Sequence, residues 1–426
     1  MNNYVTQIPW VKKVPISWKL VPLFFVADDN KRKNKNKNKN VLSLSYGKII
    51  RRDLTRNFGL LPNNFDTYQE VDKGFIIIRS TDLQNDKKSL RVGLVKENGV
   101  ITSAYIGLSP KRNVIPEYLF YYLNMCDLKK VFYSLGGGLR QSLRFEEFRR
   151  FPVILPSLKE QKSIFQYLDI KTKKIDLLIK KIEKKIKLLK EQNIALINQY
   201  VTRGLNNRTE FKYCGVNYIG MIPVHWKISK IKYQAKINNG STPRSDNKLF
   251  WNGSIQWFTP GDFKNKNSEG YLYDSFKKIT EEGLQNCGCS LIKQPSLLMT
   301  TRAPVGNLSR MDISFTFNQG CKSITPIEMD QNYLYFFLLN KEGVFNVLSN
   351  GTTFKELSTD NLLDFKIPLP PLSEQVEIAK KLNKYSASCF KNINLLKKRI
   401  QLIEEYRQSL ISSVVTGKIQ ITEDML

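Results

Sequence analysis

Apolar residues recur in alternating steps of four and three along two separate stretches of this chain. The first stretch sets Ile175, Ile179, Ile182, Ile186, Leu189, Asn193, Leu196 and Tyr200 on one line. The second sets Cys389, Ile393, Leu396, Ile400, Ile403, Arg407, Leu410 and Val414 on another. This spacing keeps every member on one stripe of an α-helix, and a stripe repeated every 3.5 residues is a coiled-coil seam. Both seams turn polar at the same place, Asn193 and Arg407, a device that fixes register at some cost in stability. The pattern predicts two helices of about 45 residues, each about 70 Å long at 1.5 Å per residue.

The helices are halves of a duplication. With Phe151 laid over Phe365, FPVILPSLKEQ (151–161) covers FKIPLPPLSEQ (365–375) without a gap. The register holds to Val201-Thr202 over Val415-Thr416. Upstream the match is looser: VPISWK (14–19) resembles IPVHWK (222–227), and YLFYYLN (118–124) resembles YLYFFLLN (333–340). A fixed internal offset decides architecture before any local reading. The predicted order is a globular unit at 1–155, a long helix at 156–206, a second unit at 207–369 and a second helix at 370–418. The predicted class is α+β: two mixed α/β domains joined by two long helices that form an antiparallel coiled coil about a pseudo-twofold axis, one domain at each end. Ser373, ahead of Glu374 and Gln375, is the expected N-cap of the second helix, and the LPSLKEQ of the first copy is the weaker capping sequence.

Within the first unit, VLSLSYGKIIRRDL (41–54) reads as a β stretch turning at Gly47, and GFIIIRSTDL (74–83) and GVITSAYIGLSP (99–110) as strands. EYLFYYLN (117–124) reads as a buried helix leading to the glycines 136–138. No GK[ST] follows these glycines, so they are no phosphate loop. KRKNKNKNKN (31–40) is a low-complexity basic run, read as a solvated loop, with phosphate contact as the alternative. In the second unit, NNGSTPRSDNKLFWNGSIQWFTPGDF (238–263) is rich in turns, aromatics and small polar residues.

Charge changes the picture most. Lys and Arg number 67 against 38 Asp and Glu, a net charge of +29. Such an excess favours a polyanionic partner, because each phosphate contact releases counterions. The candidate DNA contacts are Lys48, Arg51, Arg52, Arg140 and Ser142 in the first unit, and Arg244, Thr259, Arg302, Gln319 and Lys322 in the second. These residue types bond phosphates or base edges. Six scattered cysteines and one histidine, His225, offer no metal-ligand spacing, so no metal is expected, and free thiols fit a reducing cytoplasm. No apolar run approaches a membrane span, and the N-terminus has no signal-peptide pattern. There is no NPPY or DPPY string of the kind that holds a flipped base for amino-methylation, no Walker sequence, and no histidine pair for a nuclease or triad. No catalytic residues are therefore assigned.

The strings GSTPR…W…GSIQWFTPGD (240–262), RAPVG (302–306) and NQGCK (318–322) resemble the landmarks of target-recognition domains in type I restriction-modification specificity subunits, the HsdS family. LSLSYGKIIRRD (42–53) resembles the start of another recognition-domain class of that family. IPVHWK and LPPLSEQ are similar to its domain and helix openings. The resemblance covers essentially the whole chain. It implies a non-catalytic, cytoplasmic subunit whose two recognition domains each read one half of a bipartite double-stranded DNA target. It implies that the helices set the spacer and dock two modification (methyltransferase) subunits, joined by restriction (translocase and nuclease) subunits. Adenine methylation with S-adenosylmethionine, and ATP- and Mg-dependent cleavage, would belong to those partners, with no cofactor in this chain. The rival is a coiled-coil scaffold with basic heads that bind nucleic acid without sequence choice, and divergent heads on matched frames argue against it.

Overall fold

In the computed structural model, which describes residues 3–35, 38–53, 64–83, 90–135, 142–206, 208–349 and 356–426, both seams lie on long helices, Leu158–Arg203 and Leu372–Val415. Each helix lends one part to each of two units. The first unit comprises Met1–Lys181 with Arg399–Leu426, and the second comprises Ile182–Lys398.

The first unit opens with β1 (Asn3–Ile8), β2 (Val11–Pro15), β3 (Lys19–Pro22) and β4 (Ala27–Asp29). It continues through β5 (Leu42–Ser45), β6 (Lys48–Arg51), β7 (Gln69–Val71), β8 (Ile76–Ile78), β9 (Val92–Leu94), β10 (Gly99–Ile101) and β11 (Ile106–Pro110). Helices α1 (Pro116–Leu128) and α2 (Phe145–Phe148) and strand β12 (Pro152–Leu155) lead into α3 (Leu158–Arg203). The second unit holds β13 (Phe211–Tyr213), β14 (Met221–Pro223), β15 (Lys227–Lys230), β16 (Ala235–Asn239), β17 (Trp251–Phe258) and β18 (Lys277–Ile279). After α4 (Glu281–Gln285) come β19 (Ser296–Thr300), β20 (Leu308–Met311), β21 (Thr316–Phe317) and β22 (Cys321–Pro326). Then follow α5 (Gln331–Leu338), α6 (Glu342–Leu348), α7 (Thr359–Leu363), β23 (Lys366–Leu369) and α8 (Leu372–Val415).

The duplication is written into the sheets. The first unit has an antiparallel sheet ordered β4-β11-β8-β9, and the second has one ordered β16-β22-β19-β20. Hairpin β1-β2 answers β13-β14, and pair β3-β12 answers β15-β23. Register makes the equivalence residue-specific. Ile76 pairs with both Leu108 and Leu94, as Leu297 pairs with both Ile324 and Arg310. Leu94 thus stands where Arg310 stands, and by the same ladders Ile106 stands where Lys322 stands. The copies differ in the strands inserted between those of each four-stranded sheet. The first unit carries the pairs β5-β6 and β7-β10, whereas the second carries β17 between β18 and a parallel β21.

The string LPxLxEQ owes its side chains to the joint between helix and globular frame. Glu160 accepts from the Trp18 indole at 2.8 Å, and Glu374 accepts from the Trp226 indole at 3.0 Å. The buried Gln161 amide accepts from the backbone N–H of Ile115 and donates to the Pro156 carbonyl. Gln375 does the same with Asp330 and Pro370. Tyr118 and Tyr333, both fully buried, donate to the carbonyls of Ile154 and Pro368. Buried polar groups need such partners, since an unmade bond costs about 1–3 kcal/mol.

The capping expectation is reversed. Ser157, not Ser373, is the capping serine. Its Oγ accepts from the Glu160 backbone N–H at 3.3 Å, while Glu160 accepts from the Ser157 backbone N–H at 3.0 Å, a reciprocal capping box. In the second copy the equivalent position is Pro371, whose carbonyl accepts from Glu374 and Gln375. That places Ser373 inside the first turn, where it cannot cap.

Over its described residues, 31–35 and 38–40, the basic run is a loop with its basic side chains exposed, anchored through Asn34. Asn34 is buried and donates to the carbonyls of Asn38 and Phe65, and it accepts from the Asn38 backbone N–H. Asparagines point inward and lysines outward, with Lys33, Lys35 and Lys39 exposed. GVITSAYIGLSP, read as strand, is two strands, β10 and β11, with a turn at Thr102–Tyr105.

Within each unit the two long helices run antiparallel. In the second unit Ser386 Oγ lies 3.2 Å from Asn193 Oδ1, and the Cys389 thiol 3.5 Å from the Leu189 carbonyl. In the first, Arg407 pairs with Asp176 at 3.2 Å. Ile175, Ile182, Cys389, Ile393 and Leu410 are buried. Ile179, Ile186, Leu189, Asn193, Leu396, Ile400, Ile403 and Arg407 are half-buried. Among the described residues, no helix is long and apolar enough to cross a membrane.

Candidate nucleic-acid interface

The second unit brings its sequence landmarks together at one end of the four-stranded sheet. Because β16 and β19 both run antiparallel to β22, the C-terminal ends of β16 and β19 and the N-terminal end of β22 meet there. GSTPR leaves β16, RAPVG leaves β19, and NQG enters β22. Backbone bonds stitch them: Ser241 N–H to Phe317 O, Asn318 N–H to Phe258 O, and Thr301 N–H to Gly320 O. A Cβ on Gly240 would lie 2.2 Å from the Asn318 carbonyl oxygen, so this crossing admits only glycine.

Five candidate residues sit at this end or on its supports, in different states. Arg302 is exposed and its Nε lies 3.1 Å from Glu356. Gln319 is exposed and accepts from the Thr242 hydroxyl. Arg244 is exposed and pairs with Asp246 at 2.9 Å. Such exposed pairs are weak and exchange readily for a phosphate.

Thr259 and Lys322, expected as DNA contacts, are both engaged by neighbouring side chains. The Thr259 hydroxyl donates to the buried Asp262 carboxylate at 2.6 Å, and the same carboxylate accepts from the backbone N–H groups of Thr259 and Phe276. In TPGD the threonine and aspartate therefore cap a 3-10 turn. Lys322 is only 7% exposed, and its ammonium donates to Asn239 Oδ1 at 2.7 Å and Thr359 Oγ1 at 2.9 Å. Burial pushes its pKa below the ordinary lysine value. Sequence reasoning missed Asn239 and Thr359. The signal was weak: an asparagine before GSTPR and a threonine after a serine.

The equivalent end of the first unit is built from different residues. There a cleft of about 550 Å³ opens among Lys31, Arg32, Ser80, Ser103, Ser142 and Arg144. Of the first-unit candidates, Ser142 lies in it. Lys48, Arg51 and Arg52 lie on or beside the β5-β6 hairpin and are not among its lining residues. Arg140 and the glycine run lie outside the described residues. Just beyond them, the Leu143 N–H bonds Ser80 O at 2.8 Å, as the Leu357 N–H bonds Thr301 O at 2.9 Å. Sequence reasoning also missed Asn30 and Gln69, which organise this end. The Asn30 amide donates to Gln69 Oε1, and Gln69 donates to the carbonyls of Thr102 and Tyr105.

Comparison with known proteins fits this geometry. The type I restriction modification DNA specificity domain matches residues 18–188 and again 223–405. The chain is 35% identical over 176 residues to the type I restriction enzyme MjaIX specificity subunit of Methanocaldococcus jannaschii, an overlap of 40% of this chain and 39% of that protein. It is 28% identical over 323 residues to the putative MjaX specificity subunit of the same organism, 74% of this chain and 71% of that one. The EcoR124I/EcoR124II specificity subunit of Escherichia coli is 25% identical over 70% of each chain. Among solved structures, a chain from work on complex assembly and conformational transition of the type I R-M system superposes with a TM-score of 0.73 at 17% identity, covering 96% of this chain and all of that one. The HsdS subunit of Thermoanaerobacter tengcongensis gives 0.55 at 16% identity, covering 97% and 100%. These two likenesses concern the fold. The two matched domains cover most of the chain, and it belongs to the type I restriction-modification DNA specificity (HsdS) family.

Proposed function

We propose that this chain is the non-catalytic DNA-reading subunit of a type I restriction-modification complex, each domain reading one half of a bipartite double-stranded target. The observation that carries this reading is the contrast between matched frames and unmatched sheet ends. A protein that only held DNA would need no second chemistry at the equivalent place. Basic side chains such as Lys31, Arg144, Arg244 and Arg302 hold phosphates and orient the duplex. Polar groups such as Gln319 and Ser142 meet base edges, where donor and acceptor patterns differ between base pairs. The paired helices fix the gap between half-sites and dock two modification subunits, which restriction subunits join. S-adenosylmethionine, ATP and Mg serve those partners, in the cytoplasm, and this chain needs no cofactor of its own.

The test is methylome sequencing of the host with and without this gene. Loss of one split adenine-methylated motif, two short halves about a fixed gap, is the expected result. An unchanged methylome in a host that expresses the system would contradict the reading.

A further inference from the structure

The second unit contains a pocket away from the sheet end described above. It lies between the helix pair and the globular frame, has a volume of about 790 Å³, and is lined by residues of this unit alone. On its inner wall is Arg310, 3% exposed, with its guanidinium 4.4 Å from the Tyr271 ring centre and 4.5 Å from that of Tyr335. Its hydrogen bonds go to neutral groups: Asn332 at 2.6 Å, Asn383 at 2.7 Å and the Glu269 carbonyl. Its Nε–H is buried with no partner, and no carboxylate among the described residues forms an ion pair with it. A buried cation without a counter-ion is costly, and a bound anion relieves that cost.

The rest of the lining supports an anion with a flat ring. Lys190, Lys384 and Lys397 stand exposed at the rim, and no ion pair among the described residues neutralises them. Phe390, 41% exposed, offers a ring face, whereas the Tyr271 ring is already covered by the Arg310 guanidinium and by Tyr273, stacked at 5.9 Å. Against four cations the lining has one carboxylate, Glu269, which suits a hydroxyl or amino donor. A volume of several hundred Å³, aromatic walls and a few converging polar groups are the marks of a small-molecule site. The first unit does not repeat it. The position of Arg310 is Leu94, that of Asn332 is Glu117, and that of Asn383 is Asp169. A feature present in one copy only serves a ligand taken once per chain, not a partner that engages both copies alike.

The geometry points to a binding site for a nucleoside phosphate, with the phosphates on the lysines and Arg310 and the base against Phe390. Isothermal titration of the full chain with ATP, AMP, adenosine and inorganic tripolyphosphate tests it. The expected result is saturable 1:1 binding of ATP, weaker by at least tenfold for adenosine and for tripolyphosphate alone. The rim variant K384E/K397E, checked for an unchanged melting temperature, should weaken ATP at least tenfold. Arg302→Ala, at the reading end, should leave it unchanged. No saturable heat up to millimolar ATP, or ATP affinity unmoved by K384E/K397E, would overturn the site. Tripolyphosphate binding as tightly as ATP would reduce it to a plain basic patch and also overturn it. None of these outcomes bears on whether the chain reads DNA.

Discussion

The two sheet ends are one scaffold finished in two ways. In the second unit Lys322 is buried between Asn239 and Thr359, whereas in the first its position is Ile106, and a lysine comes instead from Lys31 beside a cleft. A second pair makes the point more sharply. The Asn238 amide donates to Ser323 Oγ, but its counterpart Asn30 donates to Gln69, and the position of Ser323 is Gly107. A Cβ on Gly107 would lie 2.2 Å from Gln69 Oε1. The difference teaches that the frame demands a partner for this asparagine without dictating which residue supplies it, and that freedom lets the two sheet ends diverge without loss of the fold.

The sharpest way to break the comparison is to force one solution onto the other copy. Gly107→Ser should destabilise the first unit by about 1–3 kcal/mol, because Gln69 is displaced from a packed site. Urea denaturation reads the loss, and Gln69→Ala added to Gly107→Ser should recover part of it. No loss in the single variant would mean that the Gln69 arrangement is not required.

At the reading end, Arg302→Ala should weaken target binding by about 1–3 kcal/mol if it meets a base, and lower the salt slope if it meets phosphate. Competition binding at several salt concentrations separates these, and unchanged affinity removes it from the interface. Lys322→Met should not lower the melting temperature at neutral pH, since Asn239 and Thr359 remain bonded to each other at 3.0 Å. The sign follows from its lowered pKa. Burying the charged form costs stability below the folded pKa, and that cost fades as pH rises toward the ordinary lysine value. The stability gain of Lys322→Met over the parent should therefore be largest near neutrality and shrink in alkali.

Helix starts give a smaller contrast. Ser157→Ala should cost about 1 kcal/mol of stability, and Ser373→Ala, which removes no cap, a few tenths at most. Equal losses would refute the capping box. At the seam, Arg407→Ala should cost about 0.2–1 kcal/mol through its half-exposed pair with Asp176.

Much of this was legible in the chain. The repeat offset located both helices, because packing imposes the same stripe on both, and the Gly47 turn followed from one glycine between two β-rich runs. What stayed hidden depended on partners distant in sequence. Lys322 reads as a surface base until β16 and α7 are seen to close over it. Thr259 reads as a contact until Asp262 folds back. Ser373 reads as a cap because it stands just ahead of Glu374 and Gln375, and only the backbone shows that the helix has already begun at Leu372. In the basic run, the burial of Asn34 was hidden because its partners Phe65 and Asn38 become neighbours only in the fold.

The central claim is that each sheet end reads one half of the target on its own. It is tested most directly by replacing residues 240–295 with the equivalent insertion of another family member and sequencing the methylome of the host. The account predicts a motif with one half changed, and the other half and the gap retained. A motif unchanged in a methylating strain, or one altered in both halves, would contradict it.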